Sequence, residues 1–134
     1  MSLVGAITQH RDEIRKRLHL GRAHWDVLVA GLDRAERNAG RECYDEQLWT
    51  FSPACAYAAM EGGPSALAKQ LTGCRVPSEQ ISFEVLPKSP RRLEGQSNLD
   101  LGLGHIGVRR GTDSGIELQP GSGREVVFCE FKWY

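Results

Sequence analysis

The hydrophobic period of the chain changes near Ile81, and this change constrains the fold more than any other feature of the sequence. Before Ile81, apolar side chains recur three and four positions apart, the spacing that gathers them on one face of a helix. After it, apolar and polar residues alternate, as they do in a half-buried strand. The sequence therefore predicts an α/β chain in an α+β arrangement, with helices first and an antiparallel meander of three or four strands after them.

Two amphipathic stretches predict a helical hairpin over residues 1–40. The first helix is expected over residues 3–18 and the second, with the stronger apolar face, over residues 22–38. At 134 residues the chain has the length of one domain. We expect a single domain over 1–134, in which the hairpin lies on a core formed by residues 41–134.

Further helices are expected between the hairpin and the sheet. One begins near residue 42, and Pro53 either kinks it or begins a new helix, because proline cannot donate the backbone hydrogen bond of a helix interior. A short helix has Pro64 in its first turn and ends at Gly73.

Four strands are expected after the change of period. They cover residues 81–86, 98–109, 115–119 and 125–134. Gly, Pro, Asp and Ser are frequent between them, which predicts turns. Because short turns join antiparallel strands, neighbours along the chain are expected to pair.

The last strand separates an apolar face from a charged one. Its apolar set is Val127, Cys129, Phe131 and Trp133. Burial of a large apolar side chain contributes about 1.5–3 kcal/mol, so this set is predicted to face the core. Glu130 and Lys132 then lie together on the opposite face, either as an ordinary solvated pair of an edge strand or as part of a site.

An earlier strand carries one acid on a face that otherwise has no side chains. Leu99, Leu101 and Leu103 alternate with Asp100, Gly102 and Gly104. Glycine has no side chain, so open space is expected beside Asp100.

An acid on one strand and Glu-x-Lys on a later strand of the same sheet resemble the PD-(D/E)xK, or restriction-endonuclease-like, nuclease superfamily. The resemblance runs from about Glu46 to the end of the chain. Asp100 matches the acid of the second motif, and Glu130 with Lys132 matches the third. Glu46 matches a further acid that a helix ahead of the sheet often supplies. Leu99 stands where the family often has proline.

The resemblance implies a Mg²⁺- or Mn²⁺-dependent nuclease acting on nucleic acid, with DNA as the expected substrate and defence or repair as its setting. Asp100 and Glu130 would hold the metal, and Lys132 would act on the attacking water or the developing phosphate charge. Asp113 and Glu117 are closer in sequence to Glu130, so either is an alternative partner acid. Asp100 is preferred because its strand is longer and its face carries glycines.

The family usually continues beyond Glu-x-Lys into a helix and another strand, whereas this sequence ends at Tyr134. The resemblance therefore implies a core that lacks its C-terminal helix and strand. A second copy, forming a homodimer, or an additional C-terminal segment would cover the sheet, or the N-terminal helices would replace the missing elements. The apolar last strand favours the first two alternatives.

Composition restricts the other classes of function. Lys plus Arg and Asp plus Glu number 17 each, so no global positive charge indicates nucleic-acid binding. The four cysteines lack zinc-site spacing, and no apolar run of 18 residues or secretory signal is present, which predicts a cytoplasmic protein with no membrane partner. The alternative function is a non-catalytic α+β interaction or binding module, in which Glu130 and Lys132 form an ordinary surface pair.

Overall fold

A computed structural model of the chain describes residues 2–38, 46–87, 99–104, 106–108, 115–118 and 126–131. Its helices are α1 (Leu3–Gln9), α2 (Arg11–Arg17), α3 (Trp25–Arg37), α4 (Glu46–Ala59) and α5 (Gly63–Thr72). Its strands are β1 (Leu18–His19), β2 (Ile81–Pro87), β3 (Leu99–Gly104), β4 (Ile106–Val108), β5 (Gly115–Leu118) and β6 (Val126–Cys129). The α+β class predicted from the sequence is confirmed.

The helix predicted over residues 3–18 is wrong in one respect, since it is divided into α1 and α2. His10 separates them with a ψ of 20°, outside the α-helical range, although its N–H still bonds to the carbonyl of Ala6. Ile7 and Ile14 are buried, so both short helices contribute to the core. Sequence periodicity could not separate them, because Ile7 and Ile14 are seven positions apart, the spacing that places two residues on one face of a continuous helix.

Local signals place the remaining helix ends. Pro53 lies inside α4, so this segment is one helix rather than two. Pro64 occupies the first turn of α5, and Gly73 ends that helix in the left-handed conformation with φ 71°. Glycine adopts this conformation without the steric cost that a Cβ brings, which explains the sharp stop.

The described strands form a mixed sheet in the order β4–β5–β2–β3–β6, and β1 pairs with β2 in addition. The β2–β3, β3–β6 and β4–β5 pairs are antiparallel, whereas β1–β2 and β2–β5 are parallel. The simple antiparallel meander is therefore corrected: β5 lies beside β2 and not between β3 and β6. A short turn constrains the two strands that it joins, but it does not determine which strand lies on their other side.

The predicted strand over residues 98–109 is also corrected, because its two described parts have different partners. β3 pairs with β2 and β6, whereas β4 pairs with β5. The predicted last strand is described as a strand only from Val126 to Cys129, and residues 132–134 lie outside the described part of the chain.

The core lies between the helices and one face of the sheet. Phe51 of α4 packs between Trp25 and Phe83, with ring centroids 5.7 and 5.8 Å away. Leu101 and Leu103 are buried on the same side of β3. Val127, Cys129 and Phe131 pack against this core, which confirms the predicted inward face for these three residues.

No helix within the described ranges is long and apolar enough to cross a membrane.

Candidate functional site

The register of β3 and β6 brings the two predicted metal-binding acids to corresponding positions. Leu101 lies opposite Cys129, and Gly102 lies opposite Phe128. Continued one step beyond its last pair, this register would set Asp100 opposite Glu130, which follows the last residue of β6. Residues directly opposite in an antiparallel pair share a face, with Cβ atoms typically about 4.5–5.5 Å apart. The strand arrangement therefore supports the choice of Asp100 as the partner of Glu130.

Asp100 also makes a contact that the sequence did not predict. Its carboxylate Oδ2 accepts a hydrogen bond from the backbone N–H of Phe131, at an N···O distance of 2.5 Å. The regular pairing of β6 ends at Cys129, so this side chain continues the connection between the two strands beyond their ladder. Asp100 is half-buried and Glu130 is exposed, so the two carboxylates lie at the boundary between the core and solvent.

Burial and the charge of Asp100 both affect the pKa of the neighbouring Cys129 thiol. Burial, and to a lesser extent the negative charge of Asp100, raise the pKa of Cys129. A raised pKa keeps a thiol protonated at neutral pH, whereas a nucleophilic cysteine needs its thiolate. Cys129 is therefore a structural residue rather than a candidate nucleophile.

The predicted open space beside Asp100 is not found at its nearest glycine. Gly102 is buried and Gly104 is half-buried. Ser82, which pairs with Gly102, is only 2% exposed. The accessible part of this face consequently begins at Asp100 and Glu130 and does not extend over Gly102.

The left-handed backbone of Glu84, in the same region, was not predicted from the sequence. It belongs to β2, the other neighbour of β3, and its φ of 54° lies in the left-handed region. The alternating pattern of Ile81 to Leu86 indicated an ordinary strand, and no glycine, asparagine or turn sequence marks this position. Only the tertiary packing reveals it.

The other predicted site residues lie on other elements or outside the described parts of the chain. Glu46 is exposed at the start of α4. Among the described residues, no group of three or more His, Cys, Asp or Glu side chains is arranged to hold a metal ion. Lys132 and the alternative acid Asp113 lie outside the described residues. Glu117 lies in β5, which β2 separates from β3.

Two surface grooves lie elsewhere on the described part of the protein. One, of about 230 Å³, lies between α3 and α4 and is lined by Val27, Leu28, Gly31, Arg34, Ala35, Gln47 and Leu48. The other, of about 340 Å³, is lined by Lys16, Arg17, Gly62, Pro64, Ser78, Glu79 and Gln80. Neither groove includes Asp100 or Glu130, so both are separate from the candidate acids.

Comparisons with protein-family models, with curated proteins and with solved structures found no match for this chain. The resemblance to PD-(D/E)xK nucleases therefore depends on the motif residues of the sequence alone.

Proposed function

We propose that this chain is a metal-dependent, nuclease-like domain that hydrolyses phosphodiester bonds of nucleic acid. DNA is the proposed substrate, and the proposed setting is defence or repair in the cytoplasm. The observation that carries the proposal is the antiparallel register of β3 and β6, which, continued one step past its last pair, sets Asp100 opposite Glu130. The hydrogen bond from the Phe131 N–H to Asp100 supports it, because it connects the two strands at this point.

Electrostatics favours a cation beside these two residues. Carboxylates about 5 Å apart repel by roughly 3 kcal/mol at an effective dielectric near 20 and by about 1 kcal/mol in bulk water. Oxygen donors suit Mg²⁺ or Mn²⁺, and Mg²⁺ commonly binds through one or two carboxylates while it keeps several waters. Two acids at the boundary with solvent therefore fit such an ion. A bound ion would polarise the phosphodiester and acidify the attacking water.

Each protein side chain has a separate role in the proposed reaction. Asp100 and Glu130 would hold the cation, and the Phe131 N–H bonds to one oxygen of the Asp100 carboxylate. The Lys132 ammonium would stabilise charge that develops on the phosphate, or hold the attacking water. Glu46 is the proposed additional acid, and this role requires its exposed helix terminus to meet the substrate or the ion.

A second copy of the chain is the proposed partner at the sheet edge. β6 is the last strand at its end of the described order, and antiparallel pairing of two β6 strands would satisfy the outward-facing backbone groups of both. Light scattering would detect the homodimer. A monomer at high micromolar concentration would count against this partner and favour an additional C-terminal segment over the sheet.

The experiment that tests the proposed activity combines metal binding with cleavage. Mn²⁺ binding is measured by calorimetry, and cutting of plasmid and single-stranded DNA is measured with Mg²⁺ or Mn²⁺. Asp100→Asn and Glu130→Gln should each weaken metal binding at least tenfold. Lys132→Ala should bind metal almost normally but cut 10²–10³-fold more slowly, as expected for the loss of one positioned charge.

Matched controls use exposed residues away from the acids. Glu61→Gln and Lys69→Ala remove the same charges from exposed positions and should leave both measurements unchanged. If the parent protein binds no Mn²⁺ and cuts neither DNA nor RNA, the proposed activity is wrong.

A non-catalytic binding module is the second candidate. It is favoured by the groove between α3 and α4, where Val27 is 63% exposed. On this account the Asp100–Phe131 contact has only a structural role, and Mn²⁺ should not change the melting temperature.

A further inference from the structure

The ladder between β2 and β3 is interrupted at the position of Asp100. Its paired positions are Ile81 with Leu103, Ser82 with Gly102, Phe83 with Leu101 and Val85 with Leu99. This register sets Glu84 opposite Asp100, but that pair is not part of the ladder. Asp100 therefore lies next to a local break on its β2 side and next to the end of the β6 ladder on the other.

The backbone of Glu84 accounts for the break. In the described backbone, Glu84 is the only residue other than glycine with a positive φ, at 54°. A residue that has a Cβ atom adopts the left-handed conformation only at a steric cost. Such a conformation persists only where the surrounding structure enforces it. Val85 returns to the same register, which confines the distortion to one residue.

The turn after β1 packs closely against this part of β2. Gly21, itself at φ 55°, lies so close to β2 that a Cβ added to it would be 2.6 Å from the carbonyl oxygen of Glu84 and 2.8 Å from that of Phe83. Only glycine permits this approach. The turn at Gly21 therefore packs directly against the backbone of β2, next to the candidate site.

We propose that Glu84 is a positioning residue for Asp100. Its left-handed backbone, held by the turn at Gly21, keeps Asp100 out of the β2 ladder and allows its carboxylate to reach β6 and accept the Phe131 N–H. A β-bulge redirects neighbouring side chains through a local change of backbone conformation, and the one-residue distortion at Glu84 would have this effect without a change of register. The consequence for metal binding rests on the proposed function, whereas the Asp100–Phe131 contact does not.

The test uses two substitutions that remove the same carboxylate but have opposite backbone preferences. In Glu84→Gly the backbone can adopt the left-handed conformation freely. In Glu84→Val this conformation is strongly disfavoured, so residue 84 should become extended and should pair with Asp100 in the ladder. The measurement is amide hydrogen exchange at Phe131, read by NMR without metal. Asp100→Ala gives the exchange rate expected when the contact is lost.

The expected result is slow Phe131 exchange in the parent and in Glu84→Gly, and at least tenfold faster exchange in Glu84→Val. Glu84→Gly should also melt at or above the parent temperature. Glu84→Thr is a milder β-branched variant for use if Glu84→Val does not fold. Glu84→Gln, which changes only the charge, should exchange like the parent.

Two results would overturn the inference. One is a folded Glu84→Val or Glu84→Thr protein in which Phe131 is as protected as in the parent. The other is loss of that protection in Glu84→Gly. Mn²⁺ titration of the same variants separates this question from the proposed function: exchange that follows the expected order while the parent binds no Mn²⁺ refutes metal binding and leaves the positioning role intact.

Discussion

Replacement of Asp100 by alanine should destabilise the protein even when no metal is present. The substitution removes the acceptor of the Phe131 N–H. A hydrogen bond to a charged group contributes about 1.5–3 kcal/mol, and an unsatisfied buried donor costs about 1–3 kcal/mol. Asp100 is only half-buried, so water can replace part of the contact. We therefore expect the free energy of unfolding to fall by about 1–2 kcal/mol.

Asp100→Asn should lose less, because its amide oxygen can still accept the same hydrogen bond. A neutral hydrogen bond contributes about 0.5–1.5 kcal/mol, so the loss relative to the parent is expected to be about 1 kcal/mol. Urea unfolding at pH 7 with a chelator measures both variants, and unchanged m-values would show that the comparison of midpoints is valid.

Asp33→Ala is the matched control for Asp100→Ala. Asp33 makes an exposed ion pair with Arg37 one helical turn away, a contact worth at most about 0.5 kcal/mol. If Asp100→Ala costs no more than Asp33→Ala, the Asp100 carboxylate does not hold the segment that follows β6.

Two further predictions concern the core. Phe83→Ala should lower the free energy of unfolding by about 3–5 kcal/mol in urea titrations, because the ring is fully buried against Phe51, whereas truncation of the exposed Val27 should change it by less than about 0.5 kcal/mol. Burial raises the pKa of the Cys55 thiol from its ordinary value of 9.0 to about 12, so the stability contributed by the neutral thiol is present below about pH 9 and is lost as the pH rises towards 12. Between pH 8.5 and 10.5 the parent should lose about 2 kcal/mol more than Cys55→Ala, and equal losses would contradict this assignment.

Only part of the candidate site could be predicted from the sequence. Alternation alone assigned Asp100 and Glu130 to polar positions of two predicted strands, and the β3–β6 register, continued one step past its last pair, sets them opposite each other. The bond from Phe131 to Asp100 could not be foreseen, because it depends on where the two strands stop pairing. The left-handed backbone of Glu84 was equally hidden, since the segment packed against it is the turn at Gly21, more than 60 residues earlier in the chain.

Local chemistry determined the elements of this protein, and long-range packing determined their arrangement. The α5 boundaries follow from Pro64 and Gly73, and the inward face of β6 follows from strict alternation, because both depend on near neighbours in sequence. The sequence alone did not determine that β5 pairs with β2 in parallel. Backbone donors and acceptors are alike in every strand, so the choice of partner depends on which arrangement buries the apolar faces together, and that is decided only when the whole chain packs.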